Sequence, residues 1–388
     1  MNDFSEIFFE NNKFNFEKFK EFFELPGTIK DKERTKRIQE KLLKLKEETN
    51  LEKEQLRNET ARIRSTALVI ETKPDWCKQE EINQILKLGT TRVELGIQTL
   101  KNDVLYFTNR GHTLQDTKEA IQLLKDSFLK TTLHIMPGLP KTTKEEDIGM
   151  FKELFENPDY KPDGLKVYPC LVIPGTPLFI QYQKGEFIPL TTEQAADIIT
   201  EGKKFIEPYC RVYRCQRDIP STVVYAGAKK TNLRQIVTEK VKEKGIKCNC
   251  IRCREPMNKE IDFNYIEIKK QFYNSSGGKE VFISVEDTKN DILLGFCRLR
   301  KPFKPFRPEI TKTSAGIREL HVYGQATPLG EEGNIQHKGY GKQLMQEAEK
   351  IAKEWNCDKL LVTSGIGVKA YYSKLGYSKE GFYMSKKL

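Results

Sequence analysis

Gln336-His-Lys-Gly-Tyr-Gly-Lys342 is the segment that most narrowly limits the fold, because it follows a predicted strand and opens a long predicted helix. Glycines let a backbone approach a bound anion closely, and the N–H groups at a helix N-terminus, with the positive end of the helix dipole, hold a pyrophosphate. A turn entering a helix could use the same residues without binding anything. The order strand, Gln-x-x-Gly-x-Gly, long helix, strand and then Tyr371-Tyr372 favours an anion cradle.

The residues around this segment extend the pattern. Upstream, apolar and polar residues alternate in three predicted strands, Tyr265–Phe272, Glu280–Val285 and Ile292–Arg300, and downstream Lys359–Thr363 predicts another. This order is similar to the GNAT acetyltransferase superfamily throughout residues 262–388. The resemblance implies an acyl-coenzyme A site, formed where the strand before the cradle opens to admit the pantetheine arm.

The resemblance also assigns roles to individual residues. Contacts with the cofactor are expected from Glu319, Leu320, His321, Val322, Gln336, Gly339, Tyr340, Gly341 and Lys342. Tyr372 occupies the place of a tyrosine that contacts the thiol or acts as the acid for the leaving thiolate, with Tyr371 beside it. Alternatively, either tyrosine is a packed core aromatic, and His321 either orients the thioester or is an interior histidine.

Towards the N-terminus, short β-branched runs alternate with amphipathic stretches, which is typical of repeated βα units and a parallel sheet. The predicted strands are Thr66–Glu71, Arg92–Gly96, Thr131–Ile135, Gly164–Tyr168 and Arg211–Tyr213. Polar residues follow these strands at Glu71–Asp75, Glu94 with Gln98, His134, Lys166 with Tyr168, and Gln216–Asp218. Because the carboxyl ends of parallel strands meet at one edge, we expect a shared cleft there, although any single residue could simply cap a helix.

Composition limits the class of protein. The chain has 388 residues, which is long for one core and predicts two domains or more. We expect a cytoplasmic protein without a membrane span, because no apolar run is long enough and acidic Asp3 and Glu6 lie where a signal peptide would be basic. The net charge of +11 favours a polyanionic partner, although lysine-rich solvated surfaces would give the same excess.

Cys248, Cys250 and Cys253 form a C-x-C-x-x-C run among basic residues. Thiolates at this spacing suit tetrahedral zinc, which needs a fourth ligand. Cys215 is the preferred fourth ligand and Cys210 the alternative, because both lie at the last predicted strand of the βα region. An iron-sulfur cluster or free thiols remain alternatives to zinc at this site.

Several ordered motifs closely resemble the Elongator catalytic subunit family from about residue 48 to the end. The motifs are Glu71–Cys77, Thr91–Gln98, Asn109–His112, His134–Pro140, Lys166–Pro169, Gln216–Pro220, Arg318–Tyr323 and Gln336–Gly341. The resemblance implies an α/β fold, in which a partial radical S-adenosylmethionine (βα) barrel is fused to a GNAT-type domain. The expected divisions are a helical arm at 1–64, the barrel at 65–246, a zinc-binding linker at 247–261 and the GNAT-type domain at 262–388. Members modify the wobble uridine of tRNA with acetyl-CoA as the donor.

The chain departs from this family in one large respect. The family holds a [4Fe-4S] cluster on three cysteines after its first barrel strand, and this sequence has no cysteine before Cys77. Thiolates are the ligands of such clusters, so S-adenosylmethionine and the cluster are not supported here by the residues present. Whether the sequence is a truncated piece or a naturally shortened protein stays open. Lys73 in place of an arginine and Phe128 in place of a glycine favour a diverged natural form.

The remaining motifs predict binding of tRNA and acetyl-CoA. Phosphate contacts are expected from Lys229, Lys230, Arg234, Lys301, Lys304 and Arg307, with Phe303 and Phe306 stacking on exposed bases. The expected activity is an acyltransferase that carries out carboxymethyl-type modification of the wobble uridine. Alternatives are a non-catalytic tRNA-binding or regulatory relative, a tRNA-stimulated acetyl-CoA hydrolase and a protein acetyltransferase. A homodimer or other Elongator-like subunits are further expected partners.

Overall fold

A computed structural model describes residues 2–28, 30–216, 219–257, 259–324 and 339–388. Within these residues, the two main sheets are a five-stranded parallel sheet and a seven-stranded mixed sheet. No helix in the described ranges combines the length and the apolar character that a bilayer crossing demands.

The N-terminal segment is mainly helical. Its elements are α1 (Asn2–Glu6), β1 (Phe9–Glu10), β2 (Lys13–Phe14), α2 (Phe16–Phe22), α3 (Lys32–Lys44) and α4 (Leu51–Asn58). Phe8 is buried among the rings of Phe4, Phe19 and Phe22, which gives this segment a small apolar centre. Helix α3 buries no residue, as its charged sequence predicts.

The parallel sheet has the strand order β3-β4-β5-β6-β8 and consists of βα units. In chain order, its elements are β3 (Val69–Thr72), α5 (Gln79–Lys87), β4 (Arg92–Gln98), α6 (Asn102–Phe107), α7 (Leu114–Asp126), β5 (Lys130–Ile135), α8 (Lys144–Glu156), β6 (Gly164–Val167), β7 (Leu171–Val172), α9 (Pro177–Gln183), α10 (Thr192–Gly202), β8 (Arg211–Arg214), β9 (Ala226–Gly227), α11 (Leu233–Glu243) and α12 (Ile251–Arg254). Three helices begin with capping boxes at Thr113, Thr143 and Thr191, which satisfy the first free N–H groups.

Alternation along the strands gives the parallel sheet two different faces. Val93, Leu133 and Leu165 lie in the buried apolar core under the helices. The intervening positions are polar, as at Glu94 and His134. One face is therefore anchored in a core, while the other presents charged side chains, which is the arrangement that a binding site inside a barrel requires.

The mixed sheet has the order β10-β11-β12-β13-β14-β16-β15. Its elements are β10 (Ile266–Ser275), β11 (Gly278–Asp287), β12 (Ile292–Lys301), β13 (Ser314–Val322), α13 (Tyr340–Glu354), β14 (Lys359–Val362), α14 (Lys369–Ser373), β15 (Ser378–Glu380) and β16 (Tyr383–Lys387). Helix α13 covers one face of this sheet, where its Leu344 and Ile351 share a core with Ile283 and Leu294.

The other face of the mixed sheet packs against the amino ends of the parallel strands. Phe296 and Tyr383 join the core of the parallel sheet there, and the Tyr383 hydroxyl donates to the Ser127 carbonyl at 3.0 Å. Phe128 adopts φ of 59°, a left-handed conformation that explains why a glycine suits this position in the Elongator family. Its ring fills the space over Gly316, where a Cβ would lie 2.3 Å from the ring.

Candidate functional site

Strands β13 and β14 diverge at the position where an acyl-CoA arm was expected. They pair in parallel only from Ser314 to Ile317, although β13 continues to Val322. The last bond across the junction runs from the Thr363 N–H to the Ile317 carbonyl at 3.1 Å. Beyond it, the edge of β13 facing away from β12 has backbone groups available for an extended ligand, as in strand addition.

Helix α13 begins beside this divergence. Gly339 precedes it with φ of 80°, and among the residues that the structure describes no side chain caps the first N–H groups. At Gly341, in the first turn, a Cβ would lie 2.7 Å from the Tyr371 hydroxyl and 3.8 Å from a methyl carbon of Val322. The first turn therefore offers free N–H groups and a close approach to a phosphate. Gln336, a predicted member of this cradle, lies outside the described residues.

The two tyrosines of α14 have different environments. The Tyr371 side chain is 40% exposed and its hydroxyl points to the start of α13. Tyr372 is 7% exposed and lies in the apolar core with Tyr377. Burial raises the pKa of both phenols, and more strongly that of Tyr372. Among the two, Tyr371 is thus the one whose hydroxyl reaches the divergence and the helix start.

The predicted cofactor residues of β13 divide between two faces. Leu320 and Val322 pack towards the core under α13, and Tyr340 of the helix contacts the same core. Glu319 points the other way, to Lys130 at 3.3 Å and Arg298 at 2.9 Å. Burial alone would raise the pKa of Glu319, but these two cations bring it down to about 2. Glu319 is therefore an ionised anchor rather than a proton donor.

The His321 side chain is exposed and lies just outside the contact between the two sheets. Its ring stacks on Phe296 at a centroid distance of 5.7 Å and lies 4.4 Å from the ring of Tyr323. The Tyr323 hydroxyl meets the Arg211 guanidinium at 2.9 Å. His321 is thus held by aromatic neighbours next to the amino end of the parallel sheet, and it is not an interior histidine.

The polar face of the parallel sheet holds a compact charged cluster. His134 contacts Glu94 at 2.9 Å through Nε2 and Glu71 at 3.2 Å through Nδ1. Lys166 forms a hydrogen bond with Glu94, and Arg92 lies 3.1 Å from the same carboxylate. Burial alone would raise the pKa of Glu94, but the hydrogen bonds from His134 and Lys166 lower it to about 2. The cluster is neutralised internally and is accessible through Glu71.

The loops at the carboxyl ends of the strands are tied together. Lys73 donates to the Arg110 carbonyl at 3.1 Å, which connects the loops after β3 and α6. Asp147 accepts from the Gly138 N–H at 2.7 Å and so fixes the loop after β5. Gln98 and Lys141 adopt φ of 67° and 65°, a conformation that non-glycine residues rarely adopt outside functional or tight-turn positions.

The three cysteines of the predicted metal site are brought together. The sulfur atoms of Cys248, Cys250 and Cys253 lie within 4.8 Å of one another, and Cys215 is not part of this group. Lys203 is 4% exposed, and its ammonium lies 3.5 Å from the Cys248 sulfur and 3.8 Å from that of Cys253. Burial alone would lower the pKa of Lys203, but the four neighbouring cysteines raise it. No sequence pattern singles out this lysine, because it lies at the end of an ordinary helical segment.

The predicted RNA-binding residues do not form one free surface. Arg234 donates to the Tyr213 carbonyl at 3.0 Å, Lys301 to the Trp355 carbonyl at 2.6 Å, and Arg307 pairs with Glu309 at 2.8 Å. The other three predicted residues are exposed at Lys229, Lys230 and Lys304. The engaged side chains stabilise the fold, which leaves fewer of the predicted cations available for phosphates.

The fold and the site define a class: a partial radical S-adenosylmethionine barrel joined to an acetyltransferase domain of the GNAT type. Profiles of known families match the same regions. The Radical SAM superfamily matches residues 28–154, the Radical_SAM C-terminal domain 162–243 and the Acetyltransferase (GNAT) family 251–377. The predicted fold class is therefore confirmed.

Individual relatives narrow the class to one family. The chain is 53% identical over 350 residues to the tRNA uridine(34) acetyltransferase of Methanocaldococcus jannaschii and 42% identical over 331 residues to Elongator complex protein 3 of Saccharomyces cerevisiae. These matches cover 88% and 83% of this chain but 65% and 59% of the relatives. A solved structure of Methanocaldococcus infernus Elp3 with an N-terminal deletion superposes with a TM-score of 0.85 at 49% identity, covering 89% of this chain and 83% of that one. The chain belongs to the Elongator complex protein 3 family, as its motifs predicted.

Proposed function

We propose that this chain provides the acetyl-CoA-binding and tRNA-binding parts of an acyltransferase that modifies the wobble uridine of tRNA. The observation that carries the proposal is the convergence of three elements: the end of β13 beyond its pairing with β14, the start of α13, which no side chain of the described residues caps, and the Tyr371 hydroxyl. The names of the archaeal relatives, tRNA uridine(34) acetyltransferase, support the substrate.

In the proposed complex, the pantetheine arm lies along β13 from Glu319 to Val322, and the pyrophosphate rests on the N–H groups of Gly341 and Lys342. Neither group needs a side-chain charge, since the helix start supplies oriented donors. Tyr371 replaces Tyr372 as our preferred acid for the leaving thiolate, because its hydroxyl is the exposed one. Tyr372 then orients Tyr371 through the ring contact at a centroid distance of 5.2 Å.

We further propose that the uridine enters at the carboxyl ends of the parallel strands. Trp76, in the turn after β3, and Tyr106, on helix α6 after β4, support this because they are 64% and 89% exposed. Exposed aromatic rings of this kind stack on unpaired bases of an anticodon loop. The exposed Lys229, Lys230 and Lys304 would add phosphate contacts, with a salt-dependent affinity.

The three-cysteine cluster is our proposed zinc site. Three sulfurs within mutual reach, together with a buried ammonium beside them, fit a thiolate set whose negative charge needs compensation. Cys248, Cys250 and Cys253 would bind the zinc as thiolates, with Cys215 as the fourth ligand after a side-chain rotation. Cys215 lies near this group, since its pKa is raised by its burial and also by Cys250. Zinc there would connect the linker to the end of the parallel sheet.

The family profile implies S-adenosylmethionine and an iron-sulfur cluster. The residues of this chain do not fit the cluster, because the only grouped cysteines of the described residues lie at 248–253 and not in a loop after the first strand. We therefore derive no step through either group. For location we propose the cytoplasm, which is supported by the lack of any disulfide between the cysteines that the structure describes. The relatives named for the Elongator complex support association with further subunits.

The test combines binding and turnover on one sample. Calorimetry measures acetyl-CoA binding, and release of free CoA is followed with and without tRNA, with mass analysis of the anticodon nucleosides. Gly341→Asp places a carboxylate in the cradle and should abolish binding. Gly149→Asp is the matched control, because Gly149 is an exposed helical glycine with nothing near its Cβ position. Equal acetyl-CoA affinity for the two variants would reject the proposed site.

A further inference from the structure

Strand β13 leaves its neighbour β14 at a residue that is held by the other half of the molecule. Arg318 is the first β13 residue beyond the paired segment. It also lies at a β-bulge, because the register with β12 shifts between Arg298 and Leu299 while Glu319 still opposes Arg298. A bulge bends a strand and increases its twist. The divergence of the two strands therefore begins at this bulge.

The Arg318 side chain does not reach solvent but ends on two carboxylates: that of Glu280 on β11, 2.5 Å from Nη2, and that of Asp163, the residue before β6. The two guanidinium nitrogens Nη1 and Nη2 lie 2.6 Å from the two carboxylate oxygens of Asp163, so the pair is bidentate. Arg318 also donates to the Leu129 carbonyl at 3.1 Å. Both residues are more than nine-tenths buried. A planar, buried fork of this kind fixes direction as well as distance.

Asp163 is in turn fixed in the parallel sheet. Its carboxylate accepts the Thr131 N–H at 2.8 Å, and its carbonyl accepts the Arg211 N–H at 3.0 Å. A second contact between the domains acts on the next residue of β13, where Lys130 lies 3.3 Å from Glu319. Arg318 and Glu319, the first two residues of β13 beyond its pairing with β14, are thus held by side chains from the amino ends of β5 and β6.

We propose that Asp163 and Lys130 form a clamp that holds open the acetyl-CoA cleft, so that Asp163 is a positioning residue for a cofactor it does not touch. The inference rests on the acetyl-CoA site proposed above. The clamp is the means by which the barrel half sets the geometry of the acyltransferase half, because without it the bulge residue can relax and β13 can pair further along β14.

Asp163→Asn removes the charge of the clamp, and Asp126→Asn is the matched control. Asp126 is a fully buried carboxylate of the same domain contact, paired with Arg300 of β12 at 2.5 Å, and it is connected to Arg318 through Arg300 and Glu280 and not through a direct pair. Both variants should lower the melting temperature. Only Asp163→Asn should weaken acetyl-CoA binding, by about fivefold or more, as for typical coupling between sites, while Asp126→Asn stays within about twofold.

Hydrogen exchange provides a readout that does not depend on the cofactor. Without acetyl-CoA, Asp163→Asn should change the exchange of a peptide covering 318–324, and Asp126→Asn should leave it unchanged. If Asp163→Asn does not fold, Lys130→Met tests the second arm of the clamp at a side chain that is 18% exposed. Unchanged affinity and exchange in the folded variant would overturn the clamp. If the wild-type protein binds no acetyl-CoA, the proposed function is rejected. The hydrogen-exchange comparison then still tests whether Asp163 holds the strand, because it needs no cofactor.

Discussion

Asp147 is expected to make the stability of the barrel half depend on pH. It is 4% exposed at the start of α8, and burial raises the pKa of its carboxyl to about 7, although hydrogen bonds from Gly138 and Thr142 act in the opposite direction. In the unfolded chain the pKa returns to about 3.8. Between these two pKa values the folded protein holds a proton that the unfolded chain has released. The contribution of this group to the free energy of unfolding is therefore fully present below about pH 4, decreases as the pH rises to 7 and is constant above that pH.

Asp147→Asn keeps the shape and an acceptor for the Gly138 N–H but removes the ionisation. The difference in unfolding free energy between this variant and the wild type should grow by about 2.5 kcal/mol from pH 5 to pH 8 and then level off, since one pKa unit corresponds to about 1.4 kcal/mol. Urea unfolding at four pH values measures it. The exposed Asp103 provides the control, and Asp103→Asn should follow the wild type. A difference that stays constant with pH, or shrinks as the pH rises, would refute this account of Asp147.

Three further predictions concern packing and metal. Arg300→Met takes from Asp126 its paired cation and from Glu280 one of its cations, while Arg318 and Lys125 stay beside Glu280, so urea unfolding should show a loss of about 3–5 kcal/mol in the free energy of unfolding. A loss below about 1 kcal/mol would contradict a contact from which water is excluded. Gly316→Ala places a methyl group against the Phe128 ring and should cost about 1–3 kcal/mol, of which Phe128→Leu in the same chain should restore a part if the contact is the cause. A strong chelator should lower the melting temperature of protein purified with zinc, and absence of stoichiometric zinc by elemental analysis would count against the cysteine site.

The parallel strands could be predicted closely from the sequence. Arg92–Gly96 became Arg92–Gln98 and Thr131–Ile135 became Lys130–Ile135, because β-branched runs bounded by turns leave little choice of register. Helices α7 and α8 begin at Leu114 and Lys144, each directly after a threonine that caps it, which is a start signal visible in the sequence. The GNAT-type order of strands and helices could equally be predicted, from the alternation of apolar and polar residues and from the glycines before α13. The division of the chain at residues 64, 246 and 261 stays a prediction.

The contact between the two halves could not be predicted. Arg298, Arg300 and Arg318 look like solvent-facing positions of strands, yet each is at most 1% exposed. Charge alone does not reveal a buried partner that is more than a hundred residues away, such as Asp163 for Arg318. For the same reason, the contact of Lys203 with the cysteines could not be predicted.

The choice between Tyr371 and Tyr372 as the residue facing the cleft could be made only from the structure. Tyr371 and Tyr372 are adjacent in sequence, and the family pattern favoured the second. A short helix turns neighbouring side chains by about 100°, so one of the pair must face the core while the other faces the cleft. Which of them does so depends on how α14 packs, and the exposed hydroxyl belongs to Tyr371.

The acyltransferase half is docked at the amino ends of the parallel strands, whereas the charged loops lie at their carboxyl ends. Strand β5 has six residues, and at about 3.3 Å per residue its two ends are roughly 17 Å apart. Reacting atoms must come within about 3 to 3.5 Å. In the proposed reaction, a two-carbon unit leaving a thioester on one side therefore could not be handed over in place to a nucleoside on the other. Movement of the two-carbon unit or of the nucleoside between the two sides would be a separate step of the proposed reaction, with its own rate.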